Sequence, residues 1–94
     1  RNSNLQKARF FKADLRNSLL SEANLESAYL ASALLQGADL QWANLNRAVL
    51  RYSIDLTPSQ VQSANINRET KVPQYLEIHW TSKNDFRCKK NEKI

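Results

Sequence analysis

A small residue recurs every five positions from Ser3 onward, at Ala8, Ala13, Ser18, Ala23, Ala28, Ala33, Ala38, Ala43, Ala48 and Ser53. Two residues after each of the first ten stands a large apolar one: Leu5, Phe10, Leu15, Leu20, Leu25, Leu30, Leu35, Leu40, Leu45 and Leu50. A period of five does not suit an α-helix, in which about 100° per residue carries successive leucines roughly 140° apart around the cylinder. It does not suit a flat strand either, because an odd spacing sends successive leucines to opposite sides of the pleat. The backbone must therefore turn once per repeat. Within a repeat the small and large residues share one side of extended backbone, and the other three face outward and carry the corner. Corners of about 90° close a square coil, and coils stacked about 4.8 Å apart pile leucine on leucine into a column.

The units Ala13-Asp14-Leu15, Ala23-Asn24-Leu25, Ala38-Asp39-Leu40 and Ala43-Asn44-Leu45 resemble the A(D/N)LXX unit of pentapeptide-repeat proteins. The resemblance covers residues 3–53 and implies an all-β solenoid, a right-handed quadrilateral β-helix. Ten repeats at the family's four to a coil make about two and a half coils. The position ahead of the large residue departs from Asp or Asn at Arg9, Leu19, Tyr29, Leu34 and Val49. In the family this position faces solvent, so these residues individualise the surface and leave the fold intact.

Three regions follow. Residues 1–56 are the β-helix, which ends where Asp55 replaces the next leucine. Residues 57–82 are a C-terminal cap. Thr57 suits an N-cap, Pro58 the first helical position and Gln60 the third, so a short capping helix should run to about Ala64. Ala64-Asn65-Ile66 then repeats the small, polar, large spacing once, and Val72, Tyr75, Leu76, Ile78 and Trp80 are available to cover the last coil, with Pro73 breaking any long element. Residues 83–94 read as a polar, mobile tail that can be removed without loss. The open N-terminal coil end calls for a cover, either further repeats or a partner, and is a place for oligomer contacts. The absence of methionine points to a piece of something longer.

Chemistry finds little to work with. His79 is the only histidine, Cys88 the only cysteine and Gly37 the only glycine, so a metal-thiolate cluster, an internal disulfide and a glycine-rich phosphate loop are all excluded. Asp14, Glu22, Glu26 and Asp39 sit on convex walls that offer no pocket to raise a carboxyl pKa. The expectation is a non-enzymatic chain with no cofactor and no metal. Apolar residues never run for the roughly 18 positions a membrane-spanning helix needs.

The walls are more informative. One should display Arg9, Phe11, Lys12, Tyr29, Val49, Arg51 and Tyr52, aromatic and basic together; another should show Leu19 and Trp42 beside Ser21, Glu22 and Asp39. Phe11, Tyr29, Tyr52 and Trp42 rimmed by arginine have the composition of a protein interface. The competing expectation is that the cap folds back over one of these walls. The favoured function is protein interaction or scaffolding, with another protein or the rest of its own chain as partner.

The formal charge of +5 and pI near 9.7 keep nucleic acid as the alternative partner. Its basic groups would be Arg1, Lys7, Arg9, Lys12 and Arg16, and Lys83, Arg87, Lys89, Lys90 and Lys93. Some family members protect DNA gyrase by imitating duplex DNA; this chain is basic and short, and departs from them on both counts. The resemblance to cyanobacterial and plastid members leaves the thylakoid lumen open beside the cytoplasm.

Overall fold

Each repeat turns at its large residue. The Ala8 amide donates to the Leu5 carbonyl at 3.0 Å, and the same bond recurs at Ala13, Ala23, Ala28, Ala33, Ala38, Ala43 and Ala48. The residue just before each donor is left-handed, with φ near +60° at Lys7, Lys12, Asn17, Glu22, Ser27, Ser32, Trp42, Arg47 and Tyr52, and +73° at Gly37. A positive φ at the third of four residues is the signature of a type II turn. The Asp and Asn of the repeat complete it. Their Oδ1 atoms accept from the amide two residues on, at 3.0 to 3.3 Å, in the pairs Asn4–Gln6, Asp14–Arg16, Asn24–Glu26, Asp39–Gln41 and Asn44–Asn46.

The computed structural model describes residues 3–92. Parallel bridges join residues twenty apart, four repeats on, in ladders that run Asn4–Asn24–Asn44, Arg9–Tyr29–Val49, Asp14–Leu34–Ile54 and Leu19–Asp39. The amide of each large residue reinforces its ladder, as in Leu5 to Asn24 O and Leu30 to Val49 O, both at 2.8 Å. The result is a β-helix-like stack of turns and bridges. The expected solenoid strands do not form as named elements, because only two or three extended residues separate one corner from the next. Among the described residues the named strands are two, both C-terminal to the repeats.

Inside the stack the leucines form the core. Leu25, Leu30, Leu35, Leu45 and Leu50 are at most 1% exposed, with Ala23, Ala28, Ala33, Ala43 and Ala48 closing the gaps between them. Leu5, Phe10 and Leu15 are only half-buried, since no coil lies above them among the described residues. The column continues one residue beyond its expected end. Asp55 takes φ +60° and turns outward, and Leu56 fills the inward place at 2% exposure.

Beyond Leu56 the cap replaces a coil piece by piece. Helix α1, Pro58–Ser63, starts from a formed capping box: Thr57 Oγ1 accepts from the Gln60 amide, and Gln60 Oε1 from the Thr57 amide. The Gln60 side chain also donates to the carbonyl of Ala38, which has no further coil to bond, and to that of Leu35, which already accepts from the Ala38 amide. Thr70 donates to Leu45 O and Tyr75 to Ser53 O in the same way. Asn65 pairs with Asn44, and Lys71 with Val49, so two ladders extend into the cap. Val61, Ala64, Ile66 and Leu76 carry the core forward.

The C-terminal segment departs from the expected mobile tail. Strand β1, Leu76–Trp80, pairs antiparallel with β2, Phe86–Lys90, in the register Ile78↔Cys88 and Trp80↔Phe86. Alternation explains it: Phe86 and Cys88 join Leu76, Ile78 and Trp80 against the core, while Arg87 and Lys89 face away. Gln62 of α1 ties the free edge of β2, donating to Phe86 O and accepting from the Cys88 amide, each at 2.8 Å. Trp80 and Phe86 rings meet at 5.5 Å, and Arg68 covers Trp80 at 4.5 Å.

Candidate interaction surface

One ladder carries most of the residues singled out from the sequence. Arg9, Tyr29, Val49 and Lys71 stand in line, about 4.8 Å from rank to rank. The adjoining corner stacks Phe11-Lys12, Ala31-Ser32 and Arg51-Tyr52, through Lys12 to Ala31 O and Ser32 to Arg51 O. The other corner stacks Lys7, Ser27 and Arg47. Because the residue ahead of each leucine and the turn residues all point outward, the fold converts a five-residue period into a wall with fixed columns. Phe11, Tyr29 and Tyr52 remain 55%, 43% and 74% exposed.

Two depressions mark this wall. The first is lined by Lys7, Arg9, Phe11, Ser27 and Tyr29. Its rings touch, with Phe11 and Tyr29 centroids 6.1 Å apart, and Lys12 Nζ sits 5.2 Å over the Phe11 face. The second lies where the wall meets the cap, among Arg51, Tyr52, Val72, Pro73, Gln74 and Tyr75. Val49 lies between them along the axis.

The charge is one-sided. Lys7, Arg9, Arg51 and Lys71 have no ion-pair partner among the described residues, whereas Arg47 is bound to Glu69 at 3.2 Å. Glu26, on the neighbouring corner, accepts from the Gln6 amide group. Arg16, grouped with the first basic cluster from sequence, belongs to a different face and is held by Asp14 at 2.7 Å. The Arg16 guanidinium, donating to the Asp14 carboxylate, lowers the carboxyl pKa to about 2. Arg1 and Lys93 lie outside the described residues.

Trp42 is not part of this wall. It occupies the corner between the Leu19–Asp39 and Asn24–Asn44 ladders, its amide bonded to Ser63 O, and lines a separate depression with Gln62, Asn84, Asp85 and Phe86. Leu19 is 70% exposed nearby on its ladder. Sequence reasoning missed Lys71 and the Val72–Tyr75 rim, although Thr70-Lys71-Val72 repeats the small, polar, large spacing that would have placed Lys71 in line. It also missed Ile54, 46% exposed on a third ladder, because the slip at Asp55 hides the register there.

A family model for pentapeptide repeats matches residues 13–51 in 8 copies. Residues 13–51 belong to the pentapeptide-repeat family. No curated protein matches the chain. Pentapeptide repeats are in general non-enzymatic structural or interaction modules. His79 is surface-exposed and lies 3.2 Å from Glu77. Cys88, at the back of the hairpin, has its thiol pKa pushed up to about 11 by burial, which keeps it protonated and a poor nucleophile. No group of three potential metal ligands occurs among the described residues. No helix among them is long and apolar enough to cross a membrane.

Proposed function

We propose that this chain is a non-catalytic protein-interaction or scaffolding module working in the cytoplasm, its repeats wound as a right-handed quadrilateral β-helix of about two and a half coils. The wall built on Arg9, Tyr29, Val49 and Lys71 is its contact surface. One observation carries this reading. The hairpin packs its apolar side against the end of the core and α1, so the wall keeps exposed aromatic rings beside cations, and such rings are what protein interfaces concentrate. A rigid backbone fixed by a bridge at each rank also suits a contact surface, since little conformational entropy is left to lose on binding.

Affinity capture from the natural source tests it. The wild-type chain is compared with a Phe11→Ser/Tyr29→Ser/Tyr52→Ser variant whose far-ultraviolet dichroism and melting match wild type. Loss of the captured protein from the variant alone is the expected result; equal capture by both moves the contact away from this wall.

A further inference from the structure

Resting on the wall reading, we propose that the partner presents an acidic, extended peptide segment whose carboxylates flank an apolar centre. The charge pattern points there. Lys7 and Arg9 mark one end of the wall and Arg51 and Lys71 the other, all without an ion-pair partner among the described residues. Of the carboxylates bordering this wall, Glu69 is ion-paired with Arg47, and Glu26 accepts from the neutral Gln6 amide and keeps its charge, so the cations outnumber the free carboxylate. No lysine or arginine occurs between Asn17 and Asn46, so the repeats contribute cations only in their first and last ranks. The middle of the wall is Tyr29, Val49, Ala31 and Ser32.

Spacing then defines the ligand. Three ranks separate Arg9 from Lys71, which at about 4.8 Å each is roughly 14 Å. Extended peptide covers that distance in about four residues at roughly 3.3 Å each. A segment with acidic residues at both ends and about three apolar residues between them places carboxylates over the two cation pairs and side chains over Tyr29 and Val49. The two depressions receive its ends.

The same cations would attract single-stranded nucleic acid, but two features favour peptide. A nucleic-acid strand carries charge at every unit, while this wall has an uncharged middle. Base stacking also needs open ring faces in a row, and here Phe11 has Lys12 on one side and Tyr29 against it, which leaves Tyr52 as the one open ring on this wall.

The test is fluorescence anisotropy with a labelled Glu-Glu-Leu-Leu-Leu-Glu-Glu peptide, its Lys-for-Glu counterpart, a Glu peptide with a Gly-Ser centre, and oligothymidine. Saturable binding of the first probe, weakened about tenfold by Arg9→Glu or Lys71→Glu, is expected. Arg87→Glu/Lys89→Glu makes a charge change on the outward face of the hairpin instead, and should alter affinity by less than about twofold. Equal loss in that hairpin variant, preference for oligothymidine, or no gain from the leucine centre each overturns the proposal. If the acidic peptide fails while the aromatic variant still loses its captured protein, the wall stands and its acidic ligand does not. If the aromatic variant binds the peptide like wild type, the wall reading itself fails.

Discussion

The turn residue is where this chain pays a conformational cost. A left-handed backbone costs an L-residue roughly 1–2 kcal/mol, and here it recurs in repeat after repeat on residues with a Cβ. Gly37 is the exception. A side chain there would keep the strained φ of +73° and also crowd the Asn17 side chain one coil away. Gly37→Ala is therefore expected to cost about 1–2 kcal/mol. Ser32 has φ +60° and a side chain with no hydrogen bond among the described residues, so Ser32→Gly should gain about 0.5 kcal/mol after the extra freedom glycine gives the unfolded chain. Urea midpoints at a constant slope check both signs. The periodic sequence made these corners visible, since a five-residue repeat has to turn, but not their handedness, which depends on how the next coil bonds to the turn. A second single-residue expectation concerns Cys88. Its pKa of about 11 lies above the ordinary 9.0, so the folded chain retains a proton that the unfolded chain sheds between those values. Stability from this group is full below pH 9 and falls as pH rises through 11. At pH 8 its alkylation by iodoacetamide should be about a hundredfold slower than for a free thiol of ordinary pKa, rising to the free rate on unfolding.

Among the elements, α1 was legible and the hairpin was not. Thr57, Pro58 and Gln60 form a local signal in which each residue type has one reason to be there, and the structure uses all three. Phe86, Arg87, Cys88, Lys89 and Lys90 make a strand whose apolar face is two residues, too short to outweigh its charge when read alone. Its order comes from partners far away in sequence: Trp80 against Phe86, and Gln62 bonded to its edge. This reverses the expectation that the tail is dispensable. Ending the chain at Ser82 uncovers Ile78 and Trp80, and should cost roughly 2–4 kcal/mol, read as a fall of the melting midpoint by about 10–20 °C. Gln62→Ala is the finer probe. It leaves Phe86 O and the Cys88 amide to water, so the loss should be only about 1 kcal/mol, with hydrogen exchange at Cys88 several-fold faster. An unchanged exchange rate would mean that the hairpin holds its edge without α1.

The candidate wall was partly legible for a related reason. Arg9, Phe11, Tyr29 and Tyr52 are placed by the repeat alone, as is Trp42 on its separate wall, whereas Lys71 arrives through the cap after one slipped residue at Asp55. The same axis that aligns the wall grades the stability of the chain. The core is tightest in its middle ranks, where Leu30 is 1% exposed between Phe10 and Leu50, and loosens toward Leu5, which packs on one side only. The amides of Arg9, Asp14 and Leu19 have no backbone partner among the described residues, while those of Tyr29, Leu34 and Asp39 donate to the coil above them. Opening from the first coil therefore breaks one set of bridges, and opening at Leu30 breaks two. Leu30→Ala should cost roughly 2–5 kcal/mol, enough to unfold a domain of this size, and Leu5→Ala only about 1 kcal/mol. Hydrogen exchange ought to follow the same slope, with the amides of Leu30, Leu35 and Leu45 slowest and those of Arg9 and Asp14 fastest. Equal costs at Leu5 and Leu30 would contradict a column that is supported from its capped end.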